Sequence, residues 1–581
     1  MSNSYRGPLA QLVEQRTFNP LVDGSNPSRP TKSYNVDMDI DIPTFSKTLQ
    51  QRQAQGLFDT LPGIRRGIEK EALRVLPDGT LSRTPHPYAL GSSLTHPHIT
   101  TDYSESLLEF ISTPWTSVRG LLQELHHIEQ FTHSVLQSQA ETLWATSMPC
   151  RLPNNPVDIP IAQYGNAYPG RIKTIYRQGL GLRYGRKMQT IAGLHYNFSF
   201  PDTFWMNYQA TSGQTQATLP EFISDQYFHL IRNVLRWRWL LPLWFGASPA
   251  VDSSFLAPDC QPDSLVPHLA PVSARGQANH TWISPYATSL RLSPLGYHNT
   301  NARIEHGISY NTLPDFLSDL RKAVTTVSPE FSAIGVLSNG EYLQLNDTCL
   351  QIENEFYGII RPKNTLAPQE RLLHALKTRG VGYIELRALD LNPFEPNGIS
   401  SQHLHLLDVF LTTCLLLDSP LLSHSEEALS HADYQTIVIE GRKKNLRFAG
   451  NTTGKSASVQ ERSTKFLDAL RAVAEQFDQA LQTQNHIQAI EMASQQIQNP
   501  QENSLCAEVF ESYAQHRNNH IDFGQYISQE RANYFLKQPL SKPIQADFEA
   551  MATRSFSKQQ VLETEYQPPF AEYLHNYLKN I

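Results

Sequence analysis

The chain has 581 residues, 40% of them hydrophobic and 18% charged. That is the profile of an ordinary folded protein with room for two or more cores, or for one large enzyme domain with a helical appendage. The formal net charge of −7, from 48 basic and 55 acidic residues, argues against a broad nucleic-acid surface or an anionic-membrane anchor, since both need clustered Lys and Arg. Cys150, Cys260, Cys349, Cys414 and Cys506 show no C-x-x-C or C-x-x-H spacing, so zinc and redox motifs are not expected and reduced thiols in a cytoplasmic protein are. The most apolar run, Val234 to Val251, is interrupted by Arg236, Arg238, Pro242 and Pro249 and cannot span a bilayer.

Residues 1–42 lack the apolar core of a signal peptide and are rich in Pro, Asn and Ser, which predicts a disordered extension. The stretch from Gly7 to Thr17, with Ser25 to Pro30, resembles the peptide produced when a transfer-RNA gene is translated, so Met38 is expected to be the true start. Folded sequence is expected from about Pro43.

Gly67-Ile68-Glu69-Lys70-Glu71-Ala72-Leu73-Arg74 precedes the turn signal Pro77-Asp78-Gly79. Glu, Lys, Ala and Leu all favour helix, but the turn followed by Thr80-Leu81-Ser82 favours a β-hairpin. In a strand Glu69 and Glu71 share one face about 7 Å apart, while Ile68, Lys70 and Ala72 face away. Two carboxylates that close repel each other unless a cation lies between them. In Leu107-Leu108-Glu109-Phe110-Ile111 a carboxylate sits inside an apolar run, where burial demands a metal ion or basic partner. A helix is predicted over Val118 to Gln137, with Leu121, Leu125, Ile128, Phe131 and Val135 in one stripe and His126, His127 and His133 at the surface.

The Gly-, Tyr- and Arg-dense segment Gln163 to Gly185 suggests loops that approach a ligand closely. From Gln189 to Phe200 polar and apolar residues alternate, predicting a strand with Gln189, His195 and Asn197 on its polar face. A Trp-, Phe- and Leu-rich helix is expected over Pro220 to Phe245, and a strand over Ser284 to Leu292. The paired acids return as Glu353 and Glu355, expected to share a strand face with Gln351 and Tyr357, followed by Arg361 and Lys363. Another strand, Tyr383 to Asp390, carries Glu385 and Arg387 on one face. Beyond about residue 400 the pattern is helical, with Phe466, Leu470, Val473, Phe477 and Leu481 in one stripe. Gly450-Asn451-Thr452-Thr453-Gly454-Lys455-Ser456 has three residues between its glycines where a Walker loop needs four, and it reads as a flexible loop.

Separate salt-bridged faces on several sheets would explain each acid singly. Together, Glu69, Glu71, Glu109, His195, Glu353, Glu355 and Glu385, with Arg387, favour one acid-lined sheet. Oxygen ligands with one imidazole and no cysteine suit Mg²⁺ or Mn²⁺, and several carboxylates suggest more than one ion. Clustered hard cations with nearby arginines are what phosphoryl transfer from a nucleotide requires. Periodicity and spacing leave the substrate open.

Seven motifs between about Leu61 and Lys443 together resemble the proteobacterial glutamate–cysteine ligases. They are the opening segment Gly67 to Arg74, Ile99-Thr100-Thr101-Asp102, Leu107 to Ile111, Ser147-Met148-Pro149-Cys150, Gly193-Leu194-His195-Tyr196-Asn197-Phe198, Tyr286-Ala287-Thr288-Ser289-Leu290-Arg291 and Tyr383-Ile384-Glu385-Leu386-Arg387. The resemblance implies an α+β, glutamine-synthetase-like fold with a curved antiparallel sheet forming a funnel. It assigns residues 43–450 to the catalytic domain and leaves 451–581 as a helical region packed on it. It implies ATP-dependent joining of the γ-carboxylate of glutamate to the amine of cysteine through a γ-glutamyl phosphate, the first step of glutathione synthesis, in a monomer.

By the same resemblance Glu69, Glu71, Asp102, Glu109, His195 and Glu385 hold the Mg²⁺ or Mn²⁺ ions. Arg387 acts at the transferred phosphoryl group, with Glu69 and Glu385 beside the chemistry. Tyr176, Gln189, Tyr286 and Tyr357 lie near the cysteine pocket, and Arg177 partners a substrate carboxylate or phosphate. Glu353, Glu355, Arg361 and Lys363 are nucleotide or metal candidates on spacing alone. The rivals are a carboxylate–amine ligase with another acceptor, and a catalytically silent nucleotide- or metal-binding relative.

Overall fold

The structure, a computed structural model, describes residues 40–213, 216–257, 261–272, 280–296, 307–449, 456–516, 518–565 and 568–581. Met38 and the loop at 450–455 lie outside the described residues. The centre is a seven-stranded antiparallel sheet. Its strands are β1 (Arg65–Val75), β2 (Ile99–Thr101), β3 (Leu107–Ile111), β4 (Thr142–Leu143), β5 (Leu194–Ser199), β6 (Ile360–Lys363) and β7 (Tyr383–Leu389). The order is β6-β7-β5-β1-β3-β2, with β4 pairing the end of β1. This α+β architecture of a sheet backed by many helices agrees with the expected fold class.

β1 is the longest strand and pairs with β3 on one side and β5 on the other. Its even-numbered side chains face the core. The Lys70 ammonium meets Glu129 at 2.6 Å, Arg66 meets Asp408 at 2.8 Å and Arg74 meets Glu141 at 2.6 Å, all buried. Glu129 comes from the helix Val118–Gln137, whose bounds match the periodic stripe. His133 on that helix is buried and His126 and His127 are half-buried, so the expected surface position of the three is corrected: the helix carrying Tyr534 and Phe535 covers His126 and His133, with Phe535 stacked on His133 at 5.0 Å.

Other expectations change with tertiary context. Residues 163–185 are not loops but contain a helix, Tyr168–Tyr184. Its glycines serve close packing: a Cβ on Gly179 would collide with the Gln351 side chain. The strand predicted over Gln189 to Phe200 is regular only at Leu194–Ser199, since Met188–Thr190 is a 3₁₀ turn. The helix over Pro220 to Phe245 divides into Leu219–Trp237 and Leu240–Phe245. Ser284 to Leu292 is a run of turns and bends with one isolated bridge, Ser248 to Ser289, and forms no strand. The hairpin after Gly79 is reduced to a Val75–Leu81 bridge.

The C-terminal helices share the core of the sheet. Phe466, Leu470, Val473, Phe477 and Ile521 belong to the same buried cluster as Ile68, Leu107 and Tyr196. A smaller cluster joins the final helix, Phe570–Lys579, to the helix Tyr168–Tyr184 through Ile172, Ile175, Phe570 and Leu574.

Candidate active site

Cross-strand register assembles the site. Glu69 pairs with His195 on β5, Glu71 with Glu109 on β3, and Glu385 with Asn197. Side chains alternate along each strand, so Glu69, Glu71, Glu109, His195, Asn197, Glu385 and Arg387 share the face opposite Arg66, Lys70 and Arg74. Arg361 pairs with Glu385 and Lys363 with Tyr383, extending the same face onto β6.

This face lines a cavity of about 360 Å³. Its acids are Glu69, Glu71, Asp102, Glu109 and Glu385, and its basic residues are Lys173, Arg177, Arg291, Arg361, Lys363 and Arg387. The acids gather around one imidazole. His195 Nδ1 lies 3.3 Å from Glu69 Oε2 and 3.9 Å from Glu385 Oε1, and Nε2 lies 3.6 Å from Glu71 Oε1. Asn197 Nδ2 donates to Glu69 Oε1 at 2.9 Å, and the Gly193 amide donates to Glu71 Oε2 at 2.7 Å. Gly193 also bears the Arg291 guanidinium, which a Cβ there would strike. Arg291 in turn donates to the Arg387 carbonyl at 2.9 Å.

The carboxylates divide electrostatically. Burial opposes ionisation of Glu385, but Lys363, Arg387, His195 and Arg361 override it and hold its carboxyl well below the usual range. Lys363 Nζ is 3.5 Å from Glu385 Oε1 and Arg387 Nη1 is 3.3 Å from Oε2. Burial, followed by repulsion from Asp102, Glu69 and Glu71, pushes Glu109 well above its ordinary value. Burial and Asp102 likewise raise Glu71, against the pull of His195, Arg291 and Arg387. Glu69 is lowered: its hydrogen bond and charge attraction to His195 and the attraction of Lys363 overcome burial and repulsion from Glu385. Among the described residues, no Lys or Arg lies within ion-pair distance of Glu69, Glu71 or Glu109.

These residues fit divalent cations. Glu69, Glu109 and His195 each offer an atom within 4.8 Å of the others, in a donor set of oxygen with one imidazole that suits Mg²⁺ or Mn²⁺. A second group at that spacing, His405, Asp408 and His486, lies on the core side. There Arg66 Nε meets both Asp408 oxygens at 2.8 Å and the Tyr196 hydroxyl donates to one at 2.7 Å, so the carboxylate already has a structural task.

The basic residues flank the acids. Arg177 reaches Asp102 across 3.9 Å, and Lys173 lies one turn before Tyr176 and Arg177 on the helix Tyr168–Tyr184. Burial and the nearby Arg177 bring the Lys173 ammonium down to about 8. On the opposite side Arg361 Nη2 donates to the Asn354 carbonyl at 3.1 Å, and the Arg387 guanidinium lies 5.9 Å from the centre of the Tyr357 ring.

Of the residues singled out in the sequence, Glu69, Glu71, Asp102, Glu109, Tyr176, Arg177, Gln189, His195, Tyr357, Arg361, Lys363, Glu385 and Arg387 line this cavity. Glu353 and Glu355 do not. They lie in a 3₁₀ turn rather than a strand, buried in ion pairs of their own: Glu353 with Arg371 at 2.5 Å, and Glu355 with Arg183 at 2.9 Å and the Tyr184 hydroxyl at 2.7 Å. Asn354, between them, reaches the cavity. Tyr286 also lies off the lining, with its ring edge-on to His268 at 5.3 Å. Sequence reasoning passed over Tyr103, Lys173, Leu180, Arg291 and Tyr577 as cavity residues. The spacing Ile172, Lys173, Tyr176, Arg177, Leu180 is a helical stripe and would have revealed Lys173 and Leu180, had the segment been treated as helix.

Comparison with known proteins agrees with this geometry. Residues 47–437 match the family model for glutamate–cysteine ligase. The glutamate–cysteine ligase of Alcanivorax borkumensis is 43% identical over 523 residues, covering 89% of this chain and 96% of that protein. That of Pseudomonas aeruginosa strain PAO1 is 41% identical over 515 residues, covering 89% and 94%. Among solved structures, glutamate–cysteine ligase from Francisella tularensis in complex with AMP superposes with a TM-score of 0.80 at 32% identity, over 89% of this chain and 97% of that one. A bifunctional glutathione synthetase from Pasteurella multocida, 21% identical with a TM-score of 0.62 and 57% of its length covered, shares the fold. With the family model spanning most of the chain and relatives above 40% identity along nearly their whole length, the chain belongs to the glutamate–cysteine ligase family.

Proposed function

We propose that the protein joins the γ-carboxylate of glutamate to the amine of cysteine at the expense of ATP, through a γ-glutamyl phosphate. The observation that carries this is the strand register that gathers Glu69, Glu71, Glu109, His195, Glu385 and Arg387 on one face of a cavity flanked by Lys and Arg, in a member of this ligase family. A pocket rich in both signs suits a substrate set rich in both: a polyphosphate carried with metal ions, and an amino acid with two carboxylates.

Glu69, Glu71, Asp102, Glu109, His195 and Glu385 would hold Mg²⁺ or Mn²⁺, which when bound supplies positive charge against the phosphate oxygens. The chain's own residues do the rest. Glu385, held ionised, orients Arg387 toward the space where phosphoryl charge develops, and a fixed guanidinium in a water-poor site stabilises that charge without reorganisation. Arg361 and Lys363 extend the cationic wall for the nucleotide. Arg177 and Lys173, on the other side, suit a carboxylate of glutamate. Aromatic and aliphatic side chains at Tyr103, Tyr176, Leu180 and Tyr357 offer the acceptor an apolar surface and limit water near the acyl phosphate, which hydrolysis would waste.

The test is ADP release by the full chain with Mg²⁺, ATP and glutamate while acceptor amines are varied, with the product identified by mass. Cysteine is expected to accelerate release beyond every other amine. Equal acceleration by another amine would move the assignment to a ligase with a different acceptor, and no glutamate-dependent ADP would leave a silent relative.

A further inference from the structure

We propose that the C-terminal helix Phe570–Lys579 is a working part of the active site and that Tyr577 is a specificity-determining residue for the acceptor amino acid. This rests on the ligase reading above and adds a residue lying 140 positions beyond the end of the family match at 437.

Tyr577 lines the catalytic cavity together with Ile172, Tyr176 and Ile352. The helix is docked from both ends. At its start, the Arg171 guanidinium lies 3.8 Å from the centre of the Phe570 ring, and Tyr168 packs edge-on against Phe570 and Tyr573 at 5.1 Å each. At its end, buried Arg371 donates to the Leu578 carbonyl at 3.0 Å and lies 5.5 Å from the centre of the Tyr577 ring.

Arg371 is itself fixed by Glu353, through Nε at 2.9 Å and Nη2 at 2.5 Å, a two-point grip with both side chains almost wholly buried. The acid that spacing alone made a metal candidate thus anchors the latch of the last helix.

The chemistry points to the acceptor. The carboxylates of glutamate and the phosphates of ATP are recognised by charge, which Lys173, Arg177, Arg361, Lys363 and Arg387 supply to the cavity. An apolar and aromatic wall of Tyr577, Ile172, Ile352 and Tyr176 suits the thiol-bearing methylene of cysteine, with the adenine ring of ATP as the competing occupant that the KM for ATP tests. Tyr577 is half-buried, so shortening it opens the wall without emptying the core.

Steady-state kinetics of full-length Tyr577→Ala and Tyr577→Phe, with cysteine and 2-aminobutyrate as acceptors, test this. Tyr577→Ala is expected to raise the KM for cysteine about tenfold, the scale on which apolar pocket contacts discriminate. Its kcat, its KM values for ATP and glutamate and its metal requirement should stay within about twofold, the pattern of lost uniform binding. Tyr577→Phe should restore the KM. Arg371→Lys, which keeps the charge beside Glu353 but gives up the grip on Leu578, should move the acceptor KM in the same direction. Unchanged acceptor KM in both Tyr577→Ala and Arg371→Lys, or a parallel rise in all three KM values, would overturn the role of Tyr577. Absence of cysteine-dependent ADP release from the unaltered chain would overturn the ligase reading on which it rests.

Discussion

The two faces of β1 solve the same electrostatic problem in opposite ways. On the core face Arg66, Lys70 and Arg74 are each matched to one buried acid, Asp408, Glu129 and Glu141, at 2.6 to 2.8 Å. On the cavity face Glu69 and Glu71 share one imidazole with Glu385, and Glu109 faces Glu71 across the strand pair with no basic side chain, among those described, at ion-pair distance. Charges matched one to one lock a sheet onto its helices. Charges left in excess on one side of a cavity, with cations ranged on the other, keep affinity for ligands. The difference separates what holds the protein together from what it does.

The sharpest way to break that comparison is at Arg387. Arg387→Ala should lower kcat by about a thousandfold, the scale of losing a fixed donor to transition-state charge, while ATP binding measured by calorimetry survives. A parallel loss of binding would make Arg387 an anchor of bound substrate instead.

On the core face, Lys70→Ala leaves Glu129 buried without its partner and should destabilise the fold by about 3–5 kcal/mol in urea unfolding. The pair Lys70→Met with Glu129→Leu should recover most of that loss, because two apolar groups replace two desolvated charges. If the double variant is as unstable as the single one, the core face is more than a set of matched pairs.

Glu69→Gln, back on the cavity face, should raise the Mg²⁺ concentration needed for half-maximal activity by about 10- to 100-fold, with the melting temperature of chelated protein little changed. An unchanged metal requirement would return Glu69 to a structural role.

The smallest effect sharpens the comparison through pH. Burial and three neighbouring carboxylates raise Glu109 in the folded state, so without metal the folded protein holds that proton more tightly than the unfolded chain does. Its contribution to stability is therefore complete below the unfolded value near 4.5 and is lost as pH rises through the folded one. Melting of chelated protein between pH 5 and 8 should show this fall, Glu109→Gln should flatten it, and Mg²⁺ should offset it in the unaltered chain. Glu385 has the opposite sign: its depressed carboxyl contributes stability above its unfolded value, lost as pH falls.

Much of the cavity face was legible because a strand has a period of two and acids on an alternating pattern have one place to go. Glu69, Glu71, His195, Glu385 and Arg387 follow from that period, and the motifs that hold them point to the family. The same E-x-E spacing failed at Glu353 and Glu355, because spacing does not set backbone angles: Arg371 and Arg183, distant in sequence, draw those acids into a buried 3₁₀ turn. The glycines between Gln163 and Gly185 suggested loops by propensity, yet close packing against Gln351 and Tyr103 explains them within a helix.

By itself the sequence determined the strand alternation, the helical stripes, the hard-cation donor set and the family, because each is local or carried by short motifs. Only the tertiary structure decided which charges pair and which stay free, that Lys70 is a core residue, and that the last helix supplies Tyr577 to the cavity. Those are contacts between segments tens to hundreds of residues apart, and no local propensity or period encodes which of many compatible partners meets which. That selection comes from packing the whole core at once.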